Sequence, residues 1–253
     1  MLPVALTIAG SDPSGGAGLQ ADLKTFYRFG VYGEAVVTLI TVQNTVVVER
    51  VETLPPDLVL AQIRAVLADI PPGAAKTGAL GSAEVIDAVA SQDFSFPLVV
   101  DPVMLAKHGA RLGDFSSLQK LIAKAYLLTP NLDEASELAG FPVKDRDSMR
   151  RAAQMLVAMG ARNVLVKGGH LQGDALDVLV TEGGEVREFS APRIETRHTH
   201  GTGCTYSAAI TAELAKGTAL VEAVSRAKTF VTEAIRSNPG LGKGSGPLNH
   251  FAR

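Results

Sequence analysis

Several short stretches of this chain set charged or nucleophilic side chains beside small, open turns. In His200-Gly-Thr-Gly-Cys-Thr205, the residues Gly201, Thr202 and Gly203 stand just before an apolar segment of helical spacing. Amides at a helix start lack intrahelical partners, so such a turn makes an anion cradle. Charge developing on a transferring phosphoryl group is the kind of ligand it favours. Cys204 falls in the first helical turn, where the dipole favours a thiolate. A tight turn needed for close helix packing, with Cys204 as a small buried residue, explains the same pattern. The nucleotide-binding P-loop is a poor match, because GxxxxGK[ST] is missing and the turn carries no lysine.

Other candidates lie upstream. Gly10-Ser-Asp-Pro-Ser-Gly-Gly16 leads into a helix, and Asp22 lies three residues after Leu19 and four before Phe26. That spacing puts its carboxylate on the buried stripe, where it needs donors from the protein or from a polar substrate. Gln20 and Lys24 are expected to face solvent. In Thr129-Pro-Asn-Leu-Asp-Glu134, Asn131 and Glu134 have capping-box spacing; alternatively Glu134 helps to hold Mg²⁺ through water. Asp101 ends an apolar strand, as an Asx turn or as a site acid. Lys167, in Lys167-Gly-Gly-His170, either neutralises phosphate or projects from an edge strand. Gln43, Asn44 and Lys76 interrupt apolar strands, facing a ligand or satisfied in the core. The histidines show no HExxH spacing, so zinc is not expected. No GxGxxG fingerprint follows the first strand, which argues against a nicotinamide enzyme.

These residues must be positioned by a chain of 253 residues with 24 basic and 26 acidic side chains. Size scaling allows roughly 70% of the extended-chain surface to be buried, enough for a large core without disulfides. The near-neutral charge lacks the long-range attraction of non-specific nucleic-acid binders. Cys204 is the single cysteine, which fits a reducing compartment. The first residues lack the positive region of a signal peptide, and no apolar run reaches the roughly 20 residues of a membrane span. A cytoplasmic protein without membrane or nucleic-acid partners is expected.

Apolar runs at Leu2–Ala9, Glu34–Val42, Val46–Val51, Ala74–Gly78, Pro97–Val100, Tyr126–Thr129, Val164–Lys167 and Ala175–Val180 read as strands. Glu185–Phe189 suits a hairpin partner through Gly183-Gly184. Helical spacing follows Gly18, Pro56, Ser82, Pro130 and Arg146, and again spans Gly203–Leu214 and Leu220–Ile235. A Gly-rich tail, Gly240–Gly246, comes last. Strand–helix alternation without an interior linker predicts one α/β domain over 1–253, with a mostly parallel sheet covered on both faces. In such folds ligands sit beyond the C-terminal strand ends, which is where the candidate loops begin. From the residues alone a phosphate-handling enzyme leads. A thiol-dependent transferase and a ligand-binding domain are the rivals, separable by whether Mg²⁺·ATP is turned over only with an acceptor.

Thr7-Ile-Ala-Gly-Ser-Asp-Pro-Ser-Gly-Gly-Ala-Gly-Leu-Gln-Ala-Asp22, Thr129-Pro-Asn-Leu-Asp-Glu-Ala135, Lys167-Gly-Gly-His170, His200-Gly-Thr-Gly-Cys-Thr205 and Gly246-Pro-Leu-Asn-His250 together resemble the bacterial hydroxymethylpyrimidine/phosphomethylpyrimidine kinases of the ribokinase-like superfamily. The resemblance spans essentially the whole chain. It implies a three-layer α/β/α fold with a small strand flap at Val46–Val51, a homodimer, ATP and Mg²⁺, and two successive phosphorylations of a hydroxymethylpyrimidine. By matching positions it implies acceptor contacts at Gly10, Asp22, Gln43, Ala79 and Val103, with Ala79 standing where a close relative carries methionine. Donor phosphates would lie over Gly201–Cys204 and near Lys167, with Asn131, Thr202 and Gly203 assisting, and Glu134 and Asp101 toward the metal. It also implies Cys204 as the base for the first transfer, where the wider superfamily carries aspartate. A pyridoxal kinase of the same kind is the alternative.

Overall fold

The computed structural model of the chain describes residues 2–103, 115–169 and 173–252. In chain order the elements are β1 (Val4–Ser11), α1 (Gly18–Arg28), β2 (Tyr32–Gln43), β3 (Val48–Thr53), α2 (Pro56–Asp69), β4 (Ala74–Thr77), α3 (Ala83–Ala90), β5 (Leu98–Val100) and α4 (Phe115–Ile122). Then come β6 (Leu127–Leu128), α5 (Leu132–Ala139), α6 (Arg146–Ala158), β7 (Asn163–Gly168), β8 (Ala175–Thr181), β9 (Val186–Ala191), α7 (Thr202–Ala215) and α8 (Leu220–Arg236). The expected strands and helices are all present, and α4 is an addition to them.

One sheet runs β3-β2-β1-β4-β5-β6-β7-β8-β9 among the described residues. Its six central strands are parallel, and antiparallel pairs close both ends, β2 with β3 and β7 with β8 with β9. Burial of the parallel strands on both faces accounts for their unbroken apolar character. Along β7, Val164 and Val166 join the core under α2–α6, whereas Leu165 joins the core under α7 and α8. Val99, Leu127 and Leu179 face the α7–α8 side in the same way. Side chains of period two thus feed two helical layers, giving the α/β/α arrangement.

The strand expected at Val46 begins at Val48 instead. Asn44 Oδ1 accepts from the amides of Val46 (2.8 Å) and Val47 (3.1 Å), and this side-chain-to-backbone turn competes with the ladder. The β2–β3 hairpin forms the flap, with Ile40, Val42, Val46 and Val47 exposed on it. The Gly-rich tail runs against this hairpin's turn, where the Ser245 amide donates to the Thr45 carbonyl at 3.0 Å.

Candidate active site

β1 has β2 on one side and β4 on the other, so successive crossovers leave it in opposite directions. A crevice therefore opens over the C-terminal ends of these strands. α1 leaves the first loop here, and α7 packs against α1, β1, β4 and β5. The last residues of β1 and β2 are Gly10-Ser11 and Gln43, Ala79 lies two residues past β4, and Val103 lies two past Asp101 beyond β5. All the expected acceptor-side positions thus share one edge of the sheet.

At the floor of this edge Asp22 is wholly buried with Lys76. Oδ2 of Asp22 accepts from Thr7 Oγ1 at 2.6 Å and from Lys76 Nζ at 2.9 Å. Its Oδ1 is buried with no hydrogen-bond partner. An orphaned buried carboxylate oxygen is costly, and a ligand N–H would relieve it. Burial pushes the Asp22 carboxyl up, with Lys76 pulling the other way. Burial also opposes charge on Lys76, but Asp22, Cys204 and Asp101 outweigh it and hold the ammonium above its ordinary value. Lys76 is the residue the sequence undervalued. Its signal was a lysine inside Ala-Ala-Lys-Thr, a strand buried at every position.

Gln20 does not face solvent as expected. Its side chain donates to Ser11 Oγ (2.8 Å) and accepts from the Asp12 amide (2.9 Å), fixing the loop that carries Asp12. Asp12 in turn accepts from the amides of Ser14 and Ala17, and His200 Nε2 lies 2.8 Å from its Oδ2. Burial would raise the Asp12 carboxyl, but the contacts with His200 and Ser14 hold it far below the usual range.

The donor side is built on β5–β7 and α7. Asp101 Oδ1 receives Lys167 Nζ at 2.8 Å and Thr129 Oγ1 at 3.3 Å, while Oδ2 receives Ser207 Oγ at 3.3 Å. Burial works against the Asp101 charge, but Lys167 and Lys76 keep its carboxyl low. Lys167 likewise keeps its charge despite burial, through Asp101 and Glu134. Asn131 and Glu134 form the capping box that their spacing predicts: Asn131 Oδ1 accepts from the Asp133 and Glu134 amides, and Glu134 Oε2 from the Asn131 amide. Burial pushes the Glu134 carboxyl up to about 7, against the pull of Lys167.

Gly201, the residue before α7, has φ 79°, and no side-chain cap closes this helix end. The Thr202 amide donates to the Thr199 carbonyl at 3.3 Å, and the Gly203 and Cys204 amides that follow it are open to an anion. A β-carbon at Gly201 would stand 1.8 Å from the Gly16 carbonyl oxygen, so the phosphate-type turn and the acceptor loop touch backbone to backbone. The Lys167 ammonium would be 3.3 Å from a β-carbon at Gly203. Lys167, Asp101, Asn131, Glu134, Val103 and the 201–204 turn line one cleft of about 710 Å³. His170 lies outside the described residues.

For Cys204 the expected lowering of the thiol does not occur. Burial pushes it up to about 11, Asp22 and Asp101 add to the rise, and Lys76 only partly offsets them. Among the described residues no group of three or more His, Cys, Asp or Glu side chains is arranged to hold a metal. Two carboxylates near an anion cradle suit Mg²⁺, which keeps waters and is held largely by substrate phosphates.

The sequence profile described as phosphomethylpyrimidine kinase matches residues 12–249. Hydroxymethylpyrimidine/phosphomethylpyrimidine kinase from Streptomyces coelicolor is 47% identical over 254 residues, covering 98% of this chain and 94% of that protein. The thiamine biosynthesis bifunctional protein ThiED from Geobacter sulfurreducens is 49% identical over 97% of this chain, which spans only 52% of that longer protein. Among solved structures, an ADP complex of Bacillus subtilis pyridoxal kinase superposes with a TM-score of 0.90 at 39% identity, covering 100% of this chain and 98% of that one.

Proposed function

The chain belongs to the phosphomethylpyrimidine kinase family of ribokinase-like phosphotransferases, and we propose that it phosphorylates 4-amino-5-hydroxymethyl-2-methylpyrimidine to the monophosphate and then to the diphosphate. The observation that carries this reading is the contact of two loops. Gly16 meets Gly201 directly, which sets the acceptor loop against the start of α7, and the buried Asp22 carboxylate keeps an unpartnered Oδ1 close enough to act on Cys204 of that turn.

In this reading the ring amino group donates to the free Oδ1 of Asp22, and Gly10, Gln43, Ala79 and Val103 line the remaining acceptor wall. ATP lays its phosphates over Thr202–Cys204. The pyrimidine CH₂OH attacks the γ-phosphorus as its bond to the β,γ-bridging oxygen breaks, and ADP leaves. Lys167 and the 203–204 amides draw charge from the transferring group, and alignment does most of the remaining work. Glu134 and Asp101 would hold Mg²⁺ through water, and the ion would supply further charge neutralisation there.

The hydroxyl proton passes to Cys204 when its Sγ is a thiolate, which becomes the neutral thiol. With the thiol near 11, the thiolate fraction at neutral pH is on the order of 10⁻⁴. The first transfer should therefore quicken with rising pH. The second acceptor is a phosphomonoester whose oxygen is already anionic, its second pKa being about 6, and it needs no strong base.

A second reading, pyridoxal as acceptor, is favoured by the likeness to the B. subtilis pyridoxal kinase structure. The phosphate machinery would serve either alcohol, so the acceptor wall must discriminate. Turnover measured side by side with the pyrimidine alcohol, its monophosphate and pyridoxal tests both. Product from the first two compounds supports the main reading, and pyridoxal phosphate alone overturns it.

A further inference from the structure

The Gly-rich segment before the C-terminus touches two parts of the crevice at once. Toward the flap, the Gly244 amide donates to Thr45 Oγ1 at 3.2 Å and the Ser245 amide to the Thr45 carbonyl at 3.0 Å. Toward the phosphate turn, Ser245 Oγ donates to the Arg197 carbonyl at 3.0 Å, and the His200 amide donates to the Gly246 carbonyl at 3.1 Å. His200 and Pro247 form a parallel bridge. His200 also holds Asp12 of the acceptor loop.

Contact with the flap is backbone-close. A β-carbon at Gly244 would stand 2.0 Å from the Thr45 carbonyl oxygen, and one at Gly242 would be 2.5 Å from the Thr45 side chain. Thr45 sits in the turn just beyond Gln43, at the acceptor end of β2. Three consecutive residues therefore connect the flap turn to the turn that receives donor phosphates. No side chain of the segment reaches into the cleft lining.

We propose that residues 244–246 act as a strap that couples acceptor binding under the flap to the geometry of the donor phosphate turn, with Thr45 and Gly244 as positioning residues. This rests on the pyrimidine-kinase reading for its two ligands. A strap of this kind makes each ligand raise the other's affinity, because both favour the arrangement in which flap, strap and turn are joined.

The test is calorimetric titration of the full-length chain with the pyrimidine alcohol, with and without a non-hydrolysable ATP analogue. Wild type should bind the alcohol about tenfold more tightly with the analogue present. In Gly244→Ala, whose methyl group must part strap and flap, this gain should fall below about twofold while the analogue's own affinity changes little. Thr45→Val removes the hydrogen bond from the Gly244 amide and should give an intermediate gain, which keeps the test open if Gly244→Ala fails to fold. No gain in wild type, or an unaltered gain in the folded variants, overturns the strap. Turnover of the alcohol by wild type, measured alongside, tests the substrate reading separately, since a chain that turns it over can still lack the coupling.

Discussion

Charge at the crevice alternates from residue to residue, and each member is set by its neighbours. Lys167 lies beside the cradle, and Lys167→Ala should lower kcat by about 10²–10³ while leaving the pyrimidine's Kd nearly unchanged. Single-turnover rates and equilibrium binding separate the two quantities, and intact turnover would remove Lys167 from the phosphate role. Cys204→Ala should slow the first phosphorylation by about 10² or more and the second by only a few-fold. Equal losses in two assays run on purified acceptors would mean that the sulfur serves packing instead. Lys76 makes a different kind of contribution. Lys76→Met strands the Asp22 carboxylate in the core and should cost roughly 3 kcal/mol or more in urea unfolding. The double replacement Asp22→Leu with Lys76→Met should recover much of that loss, because no unpaired charge remains.

Among the elements, α5 shows how a local signal becomes a site component. Its capping box satisfies orphan amides and simultaneously holds Asn131 and Glu134 at the cleft. Asn131→Ala should lower stability by about 1 kcal/mol, which in a chain of this size is a Tm shift of roughly 2–4 °C in a thermal scan. This box was legible because all its partners lie within three residues. Most strands and helices were legible for a related reason, since period-two and period-3.6 patterns are local. α4 was not, although Phe115–Ile122 is no shorter than α3 or α5. The site's cross-links were hidden altogether: Lys76 finds Asp22 across 54 residues, and His200 finds Asp12 across 188. For Cys204 the helix dipole was visible in the sequence, but the desolvation and the two carboxylates that outweigh it are products of the fold.

For the molecule as a whole, stability should depend on pH through Glu34. This β2 residue is buried with Oε2 unpartnered, and burial together with Asp69 pushes its carboxyl from 4.5 up to about 7. The folded chain therefore holds a proton that the unfolded chain gives up between those values. The stabilisation is complete below pH 4.5 and is lost as pH rises through 7. Glu34→Gln should leave unfolding at pH 4.5 nearly unchanged and stabilise the chain by roughly 1–3 kcal/mol at pH 8. An equal gain at both pH values in chemical denaturation would exclude the titration.

The sheet has a further consequence at its two rims. The edge strand β3 carries Glu49, Arg50 and Glu52, and the edge strand β9 carries Arg187 and Glu188. Another chain adding itself as a tenth strand would have to desolvate these ions at either side, a penalty that proteins commonly use against fibrous polymerisation. The broad parallel ladder that supports the crevice thus ends in borders that resist growth, so concentrated solutions should stay free of amyloid-like aggregates.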